Sequence, residues 1–244
     1  MTDADEQVAC ERHGKCQTAF VCQHLFSGSG LGFNWAEDPE NPDGQCPDAW
    51  CDACEVVLQE EGEWTERAMA LADIKVVCAL CYENLRERNW VQNGDEFERL
   101  LGEALPFLEE RQSRLREEFH IGSWERYDWY QETGQLVFSH GGRARVIADI
   151  VFVGSLSTKS NTWLWSWANR SVLEPVKSNM RAVREYGVKH RLLKVAGALW
   201  SATEEDGWEM TAIAALLLNA VGAYRTPSDS SFTYMVMTGV KWAQ

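Results

Sequence analysis

An α+β chain is predicted: a small zinc-binding N-terminal module, treble-clef or cross-brace-like, then a helical linker, then an antiparallel sheet with packed helices. Three observations lead there. All eight cysteines precede residue 82, and six of them stand with two histidines in four close pairs. A helical apolar period runs from Asp95 to Phe119. After it the apolar period changes to two, with short turns between runs. The corresponding divisions are 1–90 for the module, 91–122 for the linker and 123–244 for the α+β domain.

The pairs are Cys10-x-x-His13, Cys22-x-His24, Cys51-x-x-Cys54 and Cys78-x-x-Cys81. Two ligands on one short turn reach one ion, and a tetrahedral zinc takes two such turns, so four pairs supply two structural zinc ions. Sequential pairing puts Cys51, Cys54, Cys78 and Cys81 on one zinc, as in double-CxxC motifs, and Cys10, His13, Cys22 and His24 on the other. A cross-brace would instead join the first pair to the third and the second to the fourth. Cys16 and Cys46 are left over, as free thiols or as substitutes for His13 or His24.

From Phe20 to Asp52 the chain is rich in turn formers, with Ser27-Gly-Ser-Gly-Leu-Gly32 and Asp38-Pro-Glu-Asn-Pro-Asp-Gly44, so it reads as loops packed around metal. Ile74 to Val77 is a β-prone run leading into Cys78-Ala-Leu-Cys81, and Tyr82 to Arg88 is helix-prone. Strand, paired thiolates, then helix is the treble-clef order, and the helix N-terminus favours thiolate.

Phe97, Leu100, Leu101, Leu105, Leu108, Leu115 and Phe119 form the next stripe, interrupted at Pro106, which implies two helices or one kinked helix with a stop near Gly122. This segment is either the linker or the first helix of the second domain. Trp129 to Ser139 reads as a hairpin turning at Glu132-Thr-Gly134, with a further turn at His140-Gly-Gly142 and strands at 145–154 and 162–168. Ser171-x-x-Glu174 with Pro175 predicts a helix start, closing at Gly187 after about four turns. Asp206-x-x-Glu209 opens another helix, apolar through Leu218. Gly222–Arg225 and Ser231–Trp242 close the chain as strands around Thr226-Pro-Ser-Asp229.

Thr162-Trp-Leu-Trp-Ser-Trp-Ala168 alternates, so Trp163, Trp165 and Trp167 are expected on one sheet face. They either pack beneath the following helices or form an aromatic ligand wall, with Asn169 and Arg170 supplying polar contacts. Other candidates are weaker. His140 and His190 lack a paired base or metal spacing, Glu204-Glu-Asp206 suits a helix N-terminus, and Gly28-x-Gly30-x-Gly32 lacks the strand and helix of a phosphate loop.

The formal charge is −14, with 26 acidic and 10 basic side chains in residues 1–120 against 11 and 13 in residues 121–244. Nucleic acid is therefore not an expected partner of the module, because backbone binding needs Lys and Arg at the phosphates. The start, Met-Thr-Asp-Ala-Asp-Glu, lacks a basic region and an apolar stretch, and no run suits a membrane span. A cytoplasmic protein is expected, where such cysteines serve metals more often than disulfides.

Residues 124–242 resemble a bacterial domain family of unknown function. The text carrying the resemblance is Trp124-Glu-Arg-Tyr-Asp-Trp129, Gly134-Gln-Leu-Val-Phe-Ser139, Val153-Gly-Ser-Leu-Ser157, Thr162-Trp-Leu-Trp-Ser-Trp-Ala-Asn169, Val183-Arg-Glu-Tyr-Gly187 and Gly222-Ala-Tyr-Arg225. Residues 10–88, with Val21-Cys-Gln-His-Leu25, Pro47-Asp-Ala-Trp-Cys51 and Cys78-Ala-Leu-Cys-Tyr-Glu83, look like a cysteine-rich module of uncharacterised bacterial proteins. Neither resemblance implies an activity. The expected function is non-catalytic binding of another protein, one with a basic face; the alternatives are a hydrolase using an open zinc or a pocket near Trp165, and a small-molecule sensor.

Overall fold

A computed structural model describes residues 7–36, 44–226 and 230–243. The turn formers Asp38 to Asp43 and the turn residues Pro227 to Asp229 lie outside the described residues. The chain divides into two compact units, Met1–Gln92 and Asn93–Gln244.

The first unit is organised by one strand. β1 (Gln7–Cys10) and β2 (Gly14–Val21) form a hairpin, α1 (Gln23–Ser27) follows, and β3 (Asn34–Trp35) pairs with β4 (Ala49–Trp50). α2 (Asp52–Glu61) and α3 (Glu66–Ala72) lead to β5 (Lys75–Cys78) and α4 (Ala79–Asn89). Thr65 caps α3, its side chain accepting from Ala68 N–H. β2 is antiparallel to β5 over Thr18–Val21 and meets β4 in a parallel bridge between Val21 and Ala49. The expectation of loops from Phe20 onward is thus corrected in part: β2 runs through Val21, and short elements punctuate the rest. The core is small, built from Ala19, Val21, Leu25, Trp50, Val77 and Tyr82 together with Cys22, Cys51 and Cys54.

The second unit opens with α5 (Gly94–Phe119), one helix that contains Pro106 rather than two. Pro106 is exposed, so the backbone bond it removes is lost on the solvent side. The helix ends at His120, which takes the left-handed conformation with φ of 54°, two residues before the expected Gly122. Its apolar stripe places Leu100, Ala104 and Leu108 in one core and Leu115 and Phe119 in another, so α5 is built into the second unit.

β6 (Arg126–Tyr130), β7 (Gln135–His140) and β8 (Arg143–Ser157) are successive hairpin strands. The β7–β8 turn is the pair Gly141-Gly142, both at positive φ, which a two-residue turn of this hand requires. β9 (Thr162–Trp165) follows, then α6 (Met180–Lys189), α7 (Leu193–Ala196), β10 (Leu199–Ser201), α8 (Glu204–Leu217), β11 (Gly222–Arg225) and β12 (Ser231–Trp242). The sheet runs β10-β9-β8-β12-β11, with β7 also on β8 and β6 beyond it, and its ladders are antiparallel. β8 and β12 are buried on both faces: Val151, Val153, Tyr234 and Val236 face the tryptophan core, whereas Ile150, Phe152, Met235 and Met237 face the other. That explains the unbroken apolar run at 150–153.

Three predicted boundaries are corrected. Glu174–Val176 is only a 3-10 turn and the helix starts at Met180; Ser171 instead donates from its N–H and hydroxyl to Asn169 Oδ1, closing a local turn that competes with a helix cap. Gly187 lies inside α6, where an added Cβ would stand 2.8 Å from the Ala196 backbone nitrogen. α8 starts at Glu204, because Thr203 rather than a later residue closes the capping box with Asp206.

Candidate metal centres

β2 decides which ligand pairs meet. Its beginning is the hairpin turn that carries Cys10 and His13. β5 runs antiparallel beside it, with Lys75 opposite Val21 and Cys78 opposite Thr18, so β5 advances toward that turn and delivers Cys78 and Cys81 there. The end of β2 leads directly into Cys22 and His24, and the bridge to Ala49 brings Cys51 and Cys54 to that end. Two donor sets result: Cys10, His13, Cys78 and Cys81, and Cys22, His24, Cys51 and Cys54.

The pairing is therefore nested, first pair with fourth and second with third. This corrects both the sequential grouping of Cys51, Cys54, Cys78 and Cys81 and the cross-brace. The physical reason is strand order. Spacing shows which residues share a turn, whereas the antiparallel β2–β5 ladder and the parallel bridge to β4 determine which turns meet.

In each set the donor atoms lie within 4.8 Å of one another. In the first, Cys10 Sγ is 3.8 Å from Cys81 Sγ, and His13 Nδ1 is 3.6, 3.3 and 3.5 Å from the sulfurs of Cys10, Cys78 and Cys81. Metal–sulfur bonds of about 2.3 Å and metal–nitrogen bonds of about 2.0–2.1 Å in a tetrahedron place sulfur about 3.8 Å from sulfur and about 3.5 Å from nitrogen. The donors thus surround a space of the right size for zinc. In the second set His24 Nδ1 is 3.3 Å from Cys54 Sγ, and Cys51 N–H donates to Cys22 Sγ at 3.4 Å.

Local structure orients the donors. Cys22, Cys51 and Cys78 are the N-caps of α1, α2 and α4, and Cys78 Sγ accepts from Cys81 N–H at 3.4 Å. Backbone N–H groups of Arg12 and His13 lower the Cys10 thiol to about 6. Burial, with neighbouring sulfurs adding to it, pushes Cys81 up to about 12 and raises Cys22 and Cys54. Crowded thiolates of this kind oppose one another until a divalent cation neutralises them. The second set is the more enclosed, with Cys22, Cys51 and Cys54 buried, whereas Cys10, His13 and Cys81 are partly exposed.

Cys16 and Cys46 stand outside both sets. Cys16 Sγ donates to the His13 carbonyl at 3.5 Å. Cys46 lines a small hollow with Gln17, Pro47 and Asp48, and burial pushes its thiol up to about 12.

The tryptophans of residues 162–168 do not share one strand face, because β9 ends at Trp165 and residues 166–168 turn as a 3-10 helix. Trp163, Trp165 and Trp167 are buried in the core of the second unit. Trp165 Nε1 donates to the Lys194 carbonyl, and the Arg184 guanidinium lies 4.5 Å above the Trp167 ring. Asn169 is occupied by its turn, and Arg170 is exposed. A cleft of about 410 Å³ beside the start of α8 is lined by residues such as Leu156, Asn161, Thr203 and Phe232, and by none of these indoles.

Spacing alone also hid a polar cluster. Glu96 accepts from Arg99 and from Tyr186 at 2.8 Å, lies 3.7 Å from His190 Nδ1, and is held at about 2 chiefly by Arg99. Tyr186 and His190 are stacked 4.2 Å apart. Since α5 and α6 supply these residues from distant positions, only their shared core could have announced it.

No helix among the described residues is long and apolar enough to cross a membrane. No curated protein and no solved structure matches the chain. Residues 98–240 match the model of a family of unknown function, DUF6882, and the chain belongs to that family.

Proposed function

We propose that this is a non-catalytic binding protein of the cytoplasm whose first unit is a zinc-stabilised docking module. The observation that supports the reading is that each donor set brings four protein ligands within 4.8 Å of one another, the first of them at spacings of 3.3–3.8 Å that suit a closed tetrahedron. A hydrolytic zinc keeps a position for water, usually with three protein ligands, whereas closed sets favour folding. Thiolate-rich sets with one imidazole each suit zinc ahead of hard cations.

The partner is a protein with a basic face. Residues 1–92 carry 18 acidic and 6 basic side chains, and thiolates in excess of the metal charge make the module more acidic still. Phe20 and Val76, cross-strand neighbours on β2 and β5, are both exposed and supply apolar surface within that field.

The test is metal content together with cobalt spectroscopy. Protein purified under reducing conditions should carry two zinc ions, with no cysteine beyond Cys16 and Cys46 reactive until a chelator is added. Cobalt substitution should give tetrahedral spectra that azide and cyanide leave unchanged. An anion-dependent spectrum would reveal an open position and replace this reading with the hydrolytic one.

A further inference from the structure

The chain carries a net charge of −14, yet residues 166–194 hold seven basic side chains against two acidic ones, Glu174 and Glu185. Glu174 is already paired with Arg181 at 2.6 Å. Within this stretch the 3-10 turn at Ser166–Ala168 is closed by the Asn169 N–H on the Ser166 carbonyl, and Lys177 Nζ donates to the Asn169 carbonyl at 3.2 Å. Lys177 is only 9 % exposed, and among the described residues no carboxylate stands within ion-pair reach of its ammonium. A lysine is seldom buried without a counter-charge, because a desolvated cation is costly. The turn adds two further orphans: Ser166 Oγ and Trp167 Nε1 lack hydrogen-bond partners in residues 0 % and 1 % exposed. The Arg184 guanidinium lies 4.5 Å above the Trp167 ring. α6 begins three residues after Lys177 with no acid in its first turn and no side-chain cap, so its positive end is uncompensated.

We propose that the Ser166–Asn169 turn and the start of α6 form a binding site for a phosphate-class oxyanion, with Lys177 as its principal counter-charge. An ammonium, a guanidinium and an indole N–H only donate, and a serine hydroxyl donates readily, so the group they serve is an acceptor. Two cations beside the turn favour a dianion over chloride or a single carboxylate. Lys177, Ser166 and Trp167 donate to its oxygens, and Arg184 adds its charge from above the indole. Arg170 and Ser171, both exposed, stand where the turn meets solvent and mark the entrance. Inorganic phosphate and the phosphate monoester of a small molecule share this chemistry. The site belongs to the second unit and stands or falls apart from the metal reading.

Full-length protein is titrated by calorimetry with inorganic phosphate and, separately, with adenosine monophosphate, with sodium chloride at matched ionic strength as the control. The expected result is one equivalent bound per chain, weakening as salt rises, and a higher unfolding temperature of the second unit in the presence of the ligand. Binding of both ligands shows that the bare oxyanion suffices; binding of the monophosphate alone assigns the site to a phosphate monoester. Lys177→Met keeps the apolar stem and removes the unpaired charge. It should unfold at or above the wild-type temperature without ligand, since it relieves a buried cation, and lose affinity by roughly tenfold or more. Ser166→Ala removes one oxygen from a packed turn and should weaken binding by roughly tenfold, which decides the matter if Lys177→Met does not fold. Wild-type affinity in the folded variants, equal stabilisation by chloride, or no binding of either ligand at millimolar concentration would overturn the proposal.

Discussion

Val21 and Ala49 form the parallel bridge of the first unit, and the Cys22 N–H donates to the Ala49 carbonyl at 2.9 Å. Cys22 and Cys51 are thereby brought side by side although 29 positions separate them. Zinc counts in double variants read this nesting directly. Cys22→Ser with Cys51→Ser should lose one zinc, no more than either single variant. Cys51→Ser with Cys81→Ser should lose both, although they would share a zinc under sequential pairing. Mass spectrometry under native conditions gives the counts, and equal losses in the two double variants would contradict the nested sets.

Metal removal should act on one unit. The first unit has a small core that includes Cys22, Cys51 and Cys54 themselves, whereas the second has two cores of its own. Structural zinc in such modules contributes folding free energy outright. A strong chelator should therefore expose residues 7–92 to protease while a fragment beginning near Asn93 survives. Digestion followed by intact-mass analysis checks this; equal survival of both units would show that the metal is dispensable.

The Cys/His pairs that make up the two candidate donor sets and the α+β class were legible in the sequence because both rest on local spacing: two donors per turn, then periods of 3.6 and two. What was illegible depends on contacts between distant segments. Cys10 joins Cys81 only because β5 lies antiparallel to β2. Trp167 follows the alternation of Trp163 and Trp165 in sequence, yet the strand turns after Trp165 as the chain leaves the sheet. The Ser171 cap failed for a related reason, since Asn169 captures its donors first.

Trp163 and Gly154 test the tryptophan core. An added Cβ at Gly154 would stand 2.5 Å from Trp163 Cζ2 and 2.8 Å from the Leu164 carbonyl oxygen, and a backbone oxygen cannot swing away. Gly154→Ala should cost about 1–3 kcal/mol through overpacking. Trp163→Ala, which empties a fully buried site, should cost about 3–5 kcal/mol. Exposed Arg170→Ala should stay within about 0.5 kcal/mol. Urea unfolding of the second unit measures all three, and a large loss in Arg170→Ala would return that residue to consideration as a built contact.

Glu96 predicts an acid limb. Arg99 and Tyr186 hold its carboxyl at about 2, below the ordinary 4.5. A carboxylate whose folded pKa is depressed contributes stability that is complete above the unfolded value and is lost as pH falls through the folded one. The contribution should therefore be present above pH 4.5 and decline between 4.5 and about 2. Its size is small because the group is solvent-screened. In Glu96→Gln the urea midpoint of the second unit should fall slightly at neutral pH and change less with acidification across that window. An unchanged acid limb in the variant would show that Glu96 is not the group being titrated, and that its bond to Tyr186 does not couple α5 to α6.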